Sequence, residues 1–374
     1  MKKLIIPVVL ALVGTSFVTY SFLDTFVIPK NVHVVSHSNV DIPINFGGTS
    51  SSSIISSSSS PISSSNDMIS SSPIASSSEE PVIVNRYYED KTPEEIAALF
   101  TETKVFVERE HYSDSDIYID ITTHRDNDDT TTYYVADIRI KNLGYFKTAF
   151  ANDTFALRNP PTERTSDICK RHKGILAING DTYGSQEAGY VIRNGDLDPK
   201  NVRTSKNLSR KKDEDLVIKK DGTFEIIDEN YTSYNEVVAM DPWHVFSFGP
   251  ALVVNGEINV TPKDEVGTAL AGNRNQRCAI GIISPGHYCF VVSDGRNNTS
   301  SGLSLYTLGT IMKELHCETV YNLDGGGSAT MYLDDGTGNA NKLGHLINVP
   351  GQLSNDPTVK QREVSDIVYI GKES

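Results

Sequence analysis

The sequence predicts an α+β fold: a mixed, mostly antiparallel sheet system with few helices, preceded by an N-terminal membrane anchor and a disordered stalk. Three observations support this prediction. Short strand patterns outnumber helical ones in the C-terminal three quarters of the chain. Hairpin signals such as Asp221-Gly222 and Asn255-Gly256 join several of these strands. A strand–helix–strand step over residues 288–322 supplies the α component.

The composition argues against nucleic-acid binding. The chain has 374 residues and a formal net charge of −14. It contains no stripe of Lys and Arg with interleaved aromatic residues, whereas nucleic-acid binding needs a basic face that neutralises phosphates. The acidic residues are spread along the chain, and we expect them to keep its surface soluble.

The four cysteines, Cys169, Cys278, Cys289 and Cys317, each lie beside apolar residues, so we expect buried thiols. An exported domain would allow one or two disulfides, but the sequence fixes no pairing. No Cys-x-x-Cys and no His/Cys spacing typical of a zinc site occurs. We therefore predict no resident metal or cofactor, and a divalent cation stays open under one alternative given below.

Residues 1–28 predict a membrane anchor. Lys2 and Lys3 precede an uncharged run from Leu4 to Leu23, and about 20 such residues span the hydrocarbon core as a helix. The two lysines favour a cytoplasmic N-terminus and an extracellular body. The alternative is a cleaved signal peptide, which would end in a small-x-small cleavage site. Residues 14–16 are a poor candidate for that site. We expect a single-pass protein of the cell membrane with an extracellular C-terminal domain.

Residues 29–79 predict a flexible linker, because most of this segment after Thr49 is serine. Such a tract cannot bury enough apolar area to offset the entropy of ordering it. We assign residues 80–374 to one globular domain held away from the membrane. A soluble secreted protein with a serine-rich spacer is the alternative.

The domain begins with a helix and two strands. Thr92 is the expected N-cap of a helix that starts at Pro93 and ends near Phe100. Residues 117–123 and 133–140 alternate between apolar and polar, as half-buried strands do.

Further strands carry polar residues at their ends, where sites are often built. Residues 174–178 predict a buried strand that ends in Asn179-Gly180-Asp181. Residues 245–254 predict two strand pieces that meet at a bend at 249–250. A strand follows Arg277, and a helix over residues 303–315 has its cap near Ser301 or Gly302.

The most informative stretch is residues 322–330, Asn-Leu-Asp-Gly-Gly-Gly-Ser-Ala-Thr. Apolar runs on both sides predict a strand, a tight glycine turn and a second strand. Three glycines permit positive φ and close approach by other groups. Their N–H groups can form a nest for an anion, with Asp324 at its entrance and Ser328 at its exit. The simpler interpretation is a glycine-rich hairpin with a capping Asp.

Six short motifs occur in an order that resembles the phosphodiester glycosidase family. They are Asn-Gly-Asp at 179–181, Phe-Gly-Pro at 248–250, Asn-Gly at 255–256, Arg-x-Ala-Ile-Gly at 277–281, Asp-Gly-Arg at 294–296 and Asn-Leu-Asp-Gly-Gly-Gly-Ser at 322–328. The bacterial branch of the family contains surface proteins described as exopolysaccharide-related. This chain looks like that branch at residues 134–138, 189–195 and 348–350 and at Arg362. The resemblance covers about residues 85–371. Cys278 departs from the family, which often has Thr there.

The resemblance implies hydrolysis of a sugar-1-phosphodiester, such as an N-acetylglucosamine-1-phosphodiester, in a cell-surface glycopolymer. The transition state of such a reaction needs a carboxylate beside the anomeric carbon. The phosphate leaving group needs charge neutralisation more than a proton. On this basis we predict three catalytic acids: Asp324, Asp294 and Asp181. We predict eight substrate-binding residues: Asn179, Arg277, Arg296, Asn322, Gly325, Gly326, Gly327 and Ser328.

Structural roles compete with these assignments. Asp294 and Asp181 could cap turns, and Arg277 could pair with Asp137. Two other functions also remain: a metal-dependent phosphodiesterase that cuts the P–O bond with the same acids as ligands, and a non-catalytic module that binds or assembles a wall polymer. The expected partners are a phosphodiester-linked glycan and, through the N-terminal helix, the membrane.

Overall fold

The computed structural model describes residues 33–34, 40–44, 88–185, 188–198, 202–204, 214–266, 269–338, 345–350 and 361–372. The anchor predicted for residues 1–28 lies outside them, as does most of the linker predicted for 29–79. Within the described ranges, no helix is long and apolar enough to cross a membrane. Two short pieces of the predicted linker contact the domain. Residues 33–34 form a strand, and Ile42 and Ile44 pack against the core.

Four α-helices and twenty-five strands form in the described part of the chain. The helices are α1 Pro93–Ala97, α2 Thr165–Arg171, α3 Tyr234–Ala239 and α4 Leu305–Glu314. The strands are β1 His33–Val34, β2 Val105–Val107, β3 His111–Ser113, β4 Ile117–Arg125, β5 Thr132–Ile140, β6 Phe146–Phe150, β7 Thr154–Phe155, β8 Glu163–Arg164, β9 Leu176–Asn179, β10 Ala188–Tyr190, β11 Val202–Thr204, β12 Glu214–Lys219, β13 Phe224–Asp228, β14 Pro242–Phe246, β15 Ala251–Val254, β16 Glu257–Ile258, β17 Glu265–Val266, β18 Ala269–Leu270, β19 Cys278–Ser284, β20 His287–Ser293, β21 Thr319–Asn322, β22 Met331–Leu333, β23 His345–Leu346, β24 Glu363–Val364 and β25 Asp366–Ile370.

Two large sheets make up most of the domain. The first has nine strands in the order β16-β15-β21-β19-β20-β5-β4-β3-β2, and the second has five in the order β23-β22-β9-β25-β6. A three-stranded sheet, β13-β12-β14, and four two-stranded pairs complete the set. Every strand pair among the described residues is antiparallel. The α+β prediction with mostly antiparallel strands is therefore confirmed, but the parallel component expected of a mixed sheet does not appear there.

The main core lies between the nine-stranded and five-stranded sheets. Side chains alternate along each strand, so one face of each sheet supplies this core. Ile280 and Phe290 from the first sheet share one buried cluster with Ile178 and Val368 from the second. The outer face of each sheet is covered by a helix. α4 packs on the nine-stranded sheet, and α2 packs on the five-stranded one. The result is four layers: helix, sheet, sheet, helix.

Local sequence signals explain the helix starts. Thr92 is the N-cap of α1 and Pro93 stands at the first helical position, as predicted, and Thr92 and Glu95 also form a capping box. The α4 cap differs from the prediction. Ser304, not Ser301 or Gly302, accepts a hydrogen bond from the N–H of Thr307 at 2.9 Å. Leu303 is paired with Asn275 in an isolated β-bridge, so the helix begins only after it.

The triple-glycine stretch is not a hairpin. β21, before it, belongs to the nine-stranded sheet, and β22, after it, belongs to the five-stranded sheet. The glycines therefore carry the chain from one layer of the sandwich to the other. The bend at Gly249-Pro250, a cis peptide, makes a similar transfer between the three-stranded and nine-stranded sheets. Periodicity predicted the strands correctly but could not tell which sheet each one joins.

Candidate active site

Strand ends from both large sheets meet at one end of the sandwich. In the five-stranded sheet, Asn179 at the end of β9 pairs with Ile367 near the start of β25. In the nine-stranded sheet, Asn322 at the end of β21 pairs with Ala279 near the start of β19. The triple-glycine stretch spans the gap between these two places. The motifs that contain Asn179 and Asn322 therefore lie at the same end of the molecule.

A cavity of about 370 Å³ opens beside this stretch. One side of it is formed by Asp324, Ser328 and Arg362. Eight other residues complete its lining: Asn159, Pro160, Thr162, Thr182, Gly184, Glu363, Val364 and Ser365. Its size fits a small sugar or phosphate group rather than a long polymer segment.

Asp324 is the most deeply placed acid of the cavity wall. Burial raises the pKa of its carboxyl group, while a hydrogen bond from Ser328, the charge of Arg362 and the N–H of Gly325 act in the opposite direction. Its backbone N–H donates to the carbonyl of Gly180 at 3.3 Å. The carboxylate lines the cavity, and the Ser328 hydroxyl and the N–H of Gly325 are its hydrogen-bond partners.

The three glycines let two guanidinium groups approach the chain. A Cβ atom at Gly327 would lie 2.9 Å from an Nη atom of Arg362, and Gly326, with φ of +60°, lies against Arg296. Any larger residue would push these groups away. The predicted anion nest is only partly available. The N–H of Gly326 donates to the carbonyl of Gln276 at 3.0 Å, and that of Gly325 serves Asp324.

Arg362 is the residue that the prediction of the site missed. Its Nη1 lies 3.5 Å from the Ser328 hydroxyl, and its positive charge lowers the pKa of Asp324. It lies 38 positions after Asp324, at the start of the last strand region, so no spacing rule connects the two. The only sequence signal was its place in the family resemblance.

Arg277 and Arg296 lie close together near the cavity but do not line it. Neutral acceptors hold both guanidinium groups. Arg277 donates to the carbonyls of Leu303 and Asn273 at 3.1 and 2.7 Å, and Arg296 donates to the Gln276 side chain at 3.2 Å. Burial and the neighbouring Arg296 lower the pKa of Arg277 to about 10. Asp137 instead bonds His287, so the structural pairing considered for Arg277 is wrong.

Asp181 lies behind the cavity in a fully buried charge cluster. Arg193 donates to Asp181 at 2.7 Å and to Asp366 at 3.1 Å, and the N–H of Ser247 also donates to Asp181 at 2.9 Å. Burial and the charge of Asp181 raise the pKa of Asp366 to about 7. Asp181 does not line the cavity, although its charge raises the pKa of Asp324.

Asp294 lies at the same end of the sandwich but has other partners. Its carboxylate accepts from the N–H of Val349 at 2.7 Å and from the hydroxyl of Tyr134 at 3.3 Å. Burial raises its pKa. It is not among the lining residues of the Asp324 cavity.

The two asparagines hold backbone segments. Asn179 donates to the carbonyl of Asp324 at 2.7 Å and accepts from the N–H of Thr330 at 3.2 Å, so it fixes both ends of the glycine stretch. Asn322 donates to the carbonyl of Gly249 at 2.7 Å. Both side chains are buried. Their sugar-binding role stays a prediction.

The comparison with known families decides the assignment. A profile of the phosphodiester glycosidase family matches residues 172–371, which is more than half of the chain. The chain belongs to the phosphodiester glycosidase family. The matched region contains Asp324, Arg362 and the three glycines at 325–327. It also contains the buried charge cluster of Asp181, Arg193 and Asp366. The first part of the nine-stranded sheet lies before the matched region. A comparison with curated proteins finds no match.

Three solved structures are similar to this family member. The catalytic domain of zebrafish N-acetylglucosamine-1-phosphodiester alpha-N-acetylglucosaminidase, auto-inhibited by its pro-peptide, is 18% identical, with 76% of this chain and 96% of that chain covered and a TM-score of 0.49. A hypothetical protein from Synechocystis is 14% identical, with coverage of 69% and 62% and a TM-score of 0.47. A protein from Burkholderia pseudomallei K96243, described as exported, is 14% identical, with coverage of 64% and 74% and a TM-score of 0.37.

In the described ranges, no three His, Cys, Asp or Glu side chains are grouped so that they could hold a metal ion. What the cavity does offer is a carboxylate and a guanidinium group on one wall. That pair can stabilise a positive centre and an anionic group next to each other.

Proposed function

We propose that this protein hydrolyses a sugar-1-phosphodiester, with Asp324 and Arg362 as the central residues. One observation carries the proposal: a carboxylate and a guanidinium group line the same cavity beside the triple glycine. The substrate has a developing positive charge at the anomeric carbon and a negative phosphate one bond away. The two side chains are complementary to those two charges.

In the proposed reaction, the bond between the anomeric carbon and the bridging oxygen breaks. The phosphate monoester leaves with the electron pair of that bond, and a water oxygen ends on the sugar. Asp324 acts as the nucleophile or as the base that activates water. Burial raises its pKa and so strengthens it as a base. The hydrogen bond from Ser328 holds the carboxylate in position.

The phosphate group would contact Arg362 first. A guanidinium group binds two phosphate oxygens with two parallel hydrogen bonds. Arg296, on the other side of the glycines, and Arg277 beside it add positive potential in a protein whose net charge is −14. Neutral acceptors hold Arg277 and Arg296, and among the described residues no carboxylate cancels their charge by direct contact.

The sugar would occupy the opposite wall of the cavity. That wall carries neutral polar groups from Asn159, Thr162 and Thr182, which suit sugar hydroxyls. Glu363 also lines the cavity and accepts a hydrogen bond from Thr162 at 3.1 Å. We propose N-acetylglucosamine-1-phosphodiesters as the first substrates to test, because a solved structure similar to this chain is of an enzyme with that name.

We also propose that the enzyme acts on a glycopolymer at the outer face of the cell membrane. The support is the sequence: an uncharged N-terminal run of anchor length follows two lysines, and a serine tract separates it from the domain. Fractionation of cells that express the full chain, followed by protease treatment of intact cells, tests this location. Recovery of the intact chain in the culture medium would contradict the anchor.

The decisive experiment for the reaction uses oxygen-labelled water. Purified protein is incubated with a sugar-1-phosphodiester, and the label is located by mass spectrometry. We expect release of reducing sugar with the label on the sugar. Label on the phosphate, with loss of activity after chelation, would favour the metal-dependent phosphodiesterase. Binding of a glycopolymer without turnover would favour the non-catalytic module.

A further inference from the structure

Two of the four buried cysteines lie in the same place. Cys289 is in β20 and Cys317 lies just after α4, and both belong to the cluster between α4 and the nine-stranded sheet. Cys169 belongs to the cluster under α2, and Cys278 belongs to the cluster between the sheets. All four are thiols in this structure, but only Cys289 and Cys317 share a cluster.

Gly281 brings the two sulfur atoms together. It is paired with Cys289 across β19 and β20, so the side-chain positions of these two residues are neighbours on one face. A Cβ atom at Gly281 would lie 2.9 Å from the Cys317 sulfur and 3.3 Å from its Cβ atom. The Cys317 side chain therefore occupies the space left by the missing side chain, directly beside Cys289.

The backbone on both sides of Cys317 is fixed. The N–H of Cys317 donates to the carbonyl of Met312 at 3.0 Å, and the N–H of Glu318 donates to Ile282 at 2.8 Å. β20 is held on both sides by β19 and β5. The two thiols thus have little freedom to move apart. Consistent with this, a hydrogen bond that the Cys289 thiol donates to Cys317, together with burial, raises the pKa of Cys289.

We propose that Cys289 and Cys317 form a disulfide when the chain folds in an oxidising thiol–disulfide environment. The two thiols lose two protons and two electrons, and one S–S bond forms. The electrons reduce a disulfide of the glutathione class to two thiols, which take up the protons. The cross-link closes a loop that contains Asp294, Arg296 and α4.

The cross-link must form before the cysteines are buried. Both side chains are almost completely buried, and a thiol must ionise to attack a disulfide. Exchange in the folded protein is therefore slow, and oxidation belongs to the folding step. Closing the loop also restricts the unfolded chain, so the oxidised form is the more stable one.

The test is to unfold the full chain and refold it in two buffers, one with glutathione disulfide in excess and one with a reductant. Each sample is acid-quenched, denatured and alkylated, and its mass gives the number of free thiols. We expect two free thiols after oxidative refolding and four after reductive refolding. Digestion without reductant should yield a peptide that joins Cys289 to Cys317. The oxidised form should also have a melting temperature higher by several degrees.

Matched variants identify the pair. Cys289→Ser and Cys317→Ser should each leave three alkylated thiols, whereas Cys169→Ser should keep the bridge and leave one. Four free thiols in wild-type protein that has refolded correctly in the glutathione disulfide buffer would overturn the proposal. A bridge that includes Cys169 or Cys278 would overturn it too. These wild-type measurements stand even if a serine variant does not fold.

Discussion

Asp324 and Asp181 occupy equivalent places in the sequence and different places in the molecule. Each is the last residue of an Asn-x-Asp motif at the end of an apolar strand. Asp324 lines a cavity, and the Ser328 hydroxyl and the N–H of Gly325 bond its carboxylate there. Asp181 is completely buried, with Arg193 on one carboxylate oxygen and the N–H of Ser247 on the other.

The difference separates two uses of a buried charge. A buried carboxylate whose oxygens are both bonded within the protein depends on those partners, because loss of one leaves an uncompensated charge. A partly buried carboxylate that lines a cavity can contact a substrate, and its burial costs the fold some stability. We therefore expect substitutions at the two acids to act on different quantities. Four predictions follow this contrast, starting with the largest effect.

Asp324→Asn should abolish activity and leave the fold intact. Loss of a positioned base lowers kcat/KM by about 10²–10⁴-fold. The melting temperature should stay the same or rise, because burial penalises the ionised carboxylate that is removed. The measurements are sugar release and thermal unfolding. Asp221→Asn, in the turn between β12 and β13, is the matched control. A folded Asp324→Asn protein with full activity would remove this acid from the site.

Arg193→Leu should mainly affect stability. It leaves Asp181 and Asp366 buried without a counter-charge, which costs about 3–5 kcal/mol of the free energy of unfolding. Arg125→Leu is the control, because Arg125 also lies 2.7 Å from an aspartate but on the surface. We expect it to cost at most about 1 kcal/mol. Urea unfolding measures both. Equal losses for the two variants would show that the buried cluster has no special role.

Arg362→Ala should lower kcat/KM by about 10²–10³-fold, because it removes charge stabilisation of the leaving group. Arg362→Lys should lie between the alanine variant and wild type, since lysine keeps the charge but loses the two-pronged hydrogen bonding. The loss should be small for a neutral glycoside of the same sugar. An equal loss for the charged and neutral substrates would mean that Arg362 does not contact phosphate.

The smallest expected effect is the pH dependence of stability that comes from the buried cluster of Asp181, Arg193 and Asp366. Burial and Asp181 raise the pKa of Asp366 from 3.8 to about 7 in the folded state. The folded protein therefore binds more protons than the unfolded chain in this range, and stability decreases as the pH rises from about 4 to about 7. Chemical unfolding across this range measures the slope. Asp366→Asn should flatten it, and an unchanged slope in that variant would contradict the assignment.

Much of the fold could be read from local patterns. Capping residues placed α1, alternation placed β4 and β5, and the turn signals at 221–222 and 255–256 placed two hairpins. The α4 cap was misplaced by two or three residues because several small polar residues precede that helix. The nine-stranded sheet could not be predicted, because the partners of a strand are chosen by packing between residues distant in the chain.

The candidate site was predicted less completely than the fold. The motif residues lie together at one end of the sandwich, yet only Asp324 and Ser328 of the predicted set line the cavity. Arg362 was absent from the predicted site. Its contact with Gly327 depends on how β25 pairs with β9. Catalytic and binding roles for Asp294, Asp181, Asn179 and Asn322 stay predictions.

By itself, the sequence determined the family, the strand-rich domain and the need for small residues at 325–327. These depend on residue identity and on short-range spacing, which the chain carries locally. Only the tertiary structure decided which acid faces the cavity, which acid is neutralised by Arg193, and which cysteines lie side by side. Those outcomes depend on distances between segments far apart in the chain, and such distances are set when the two sheets pack.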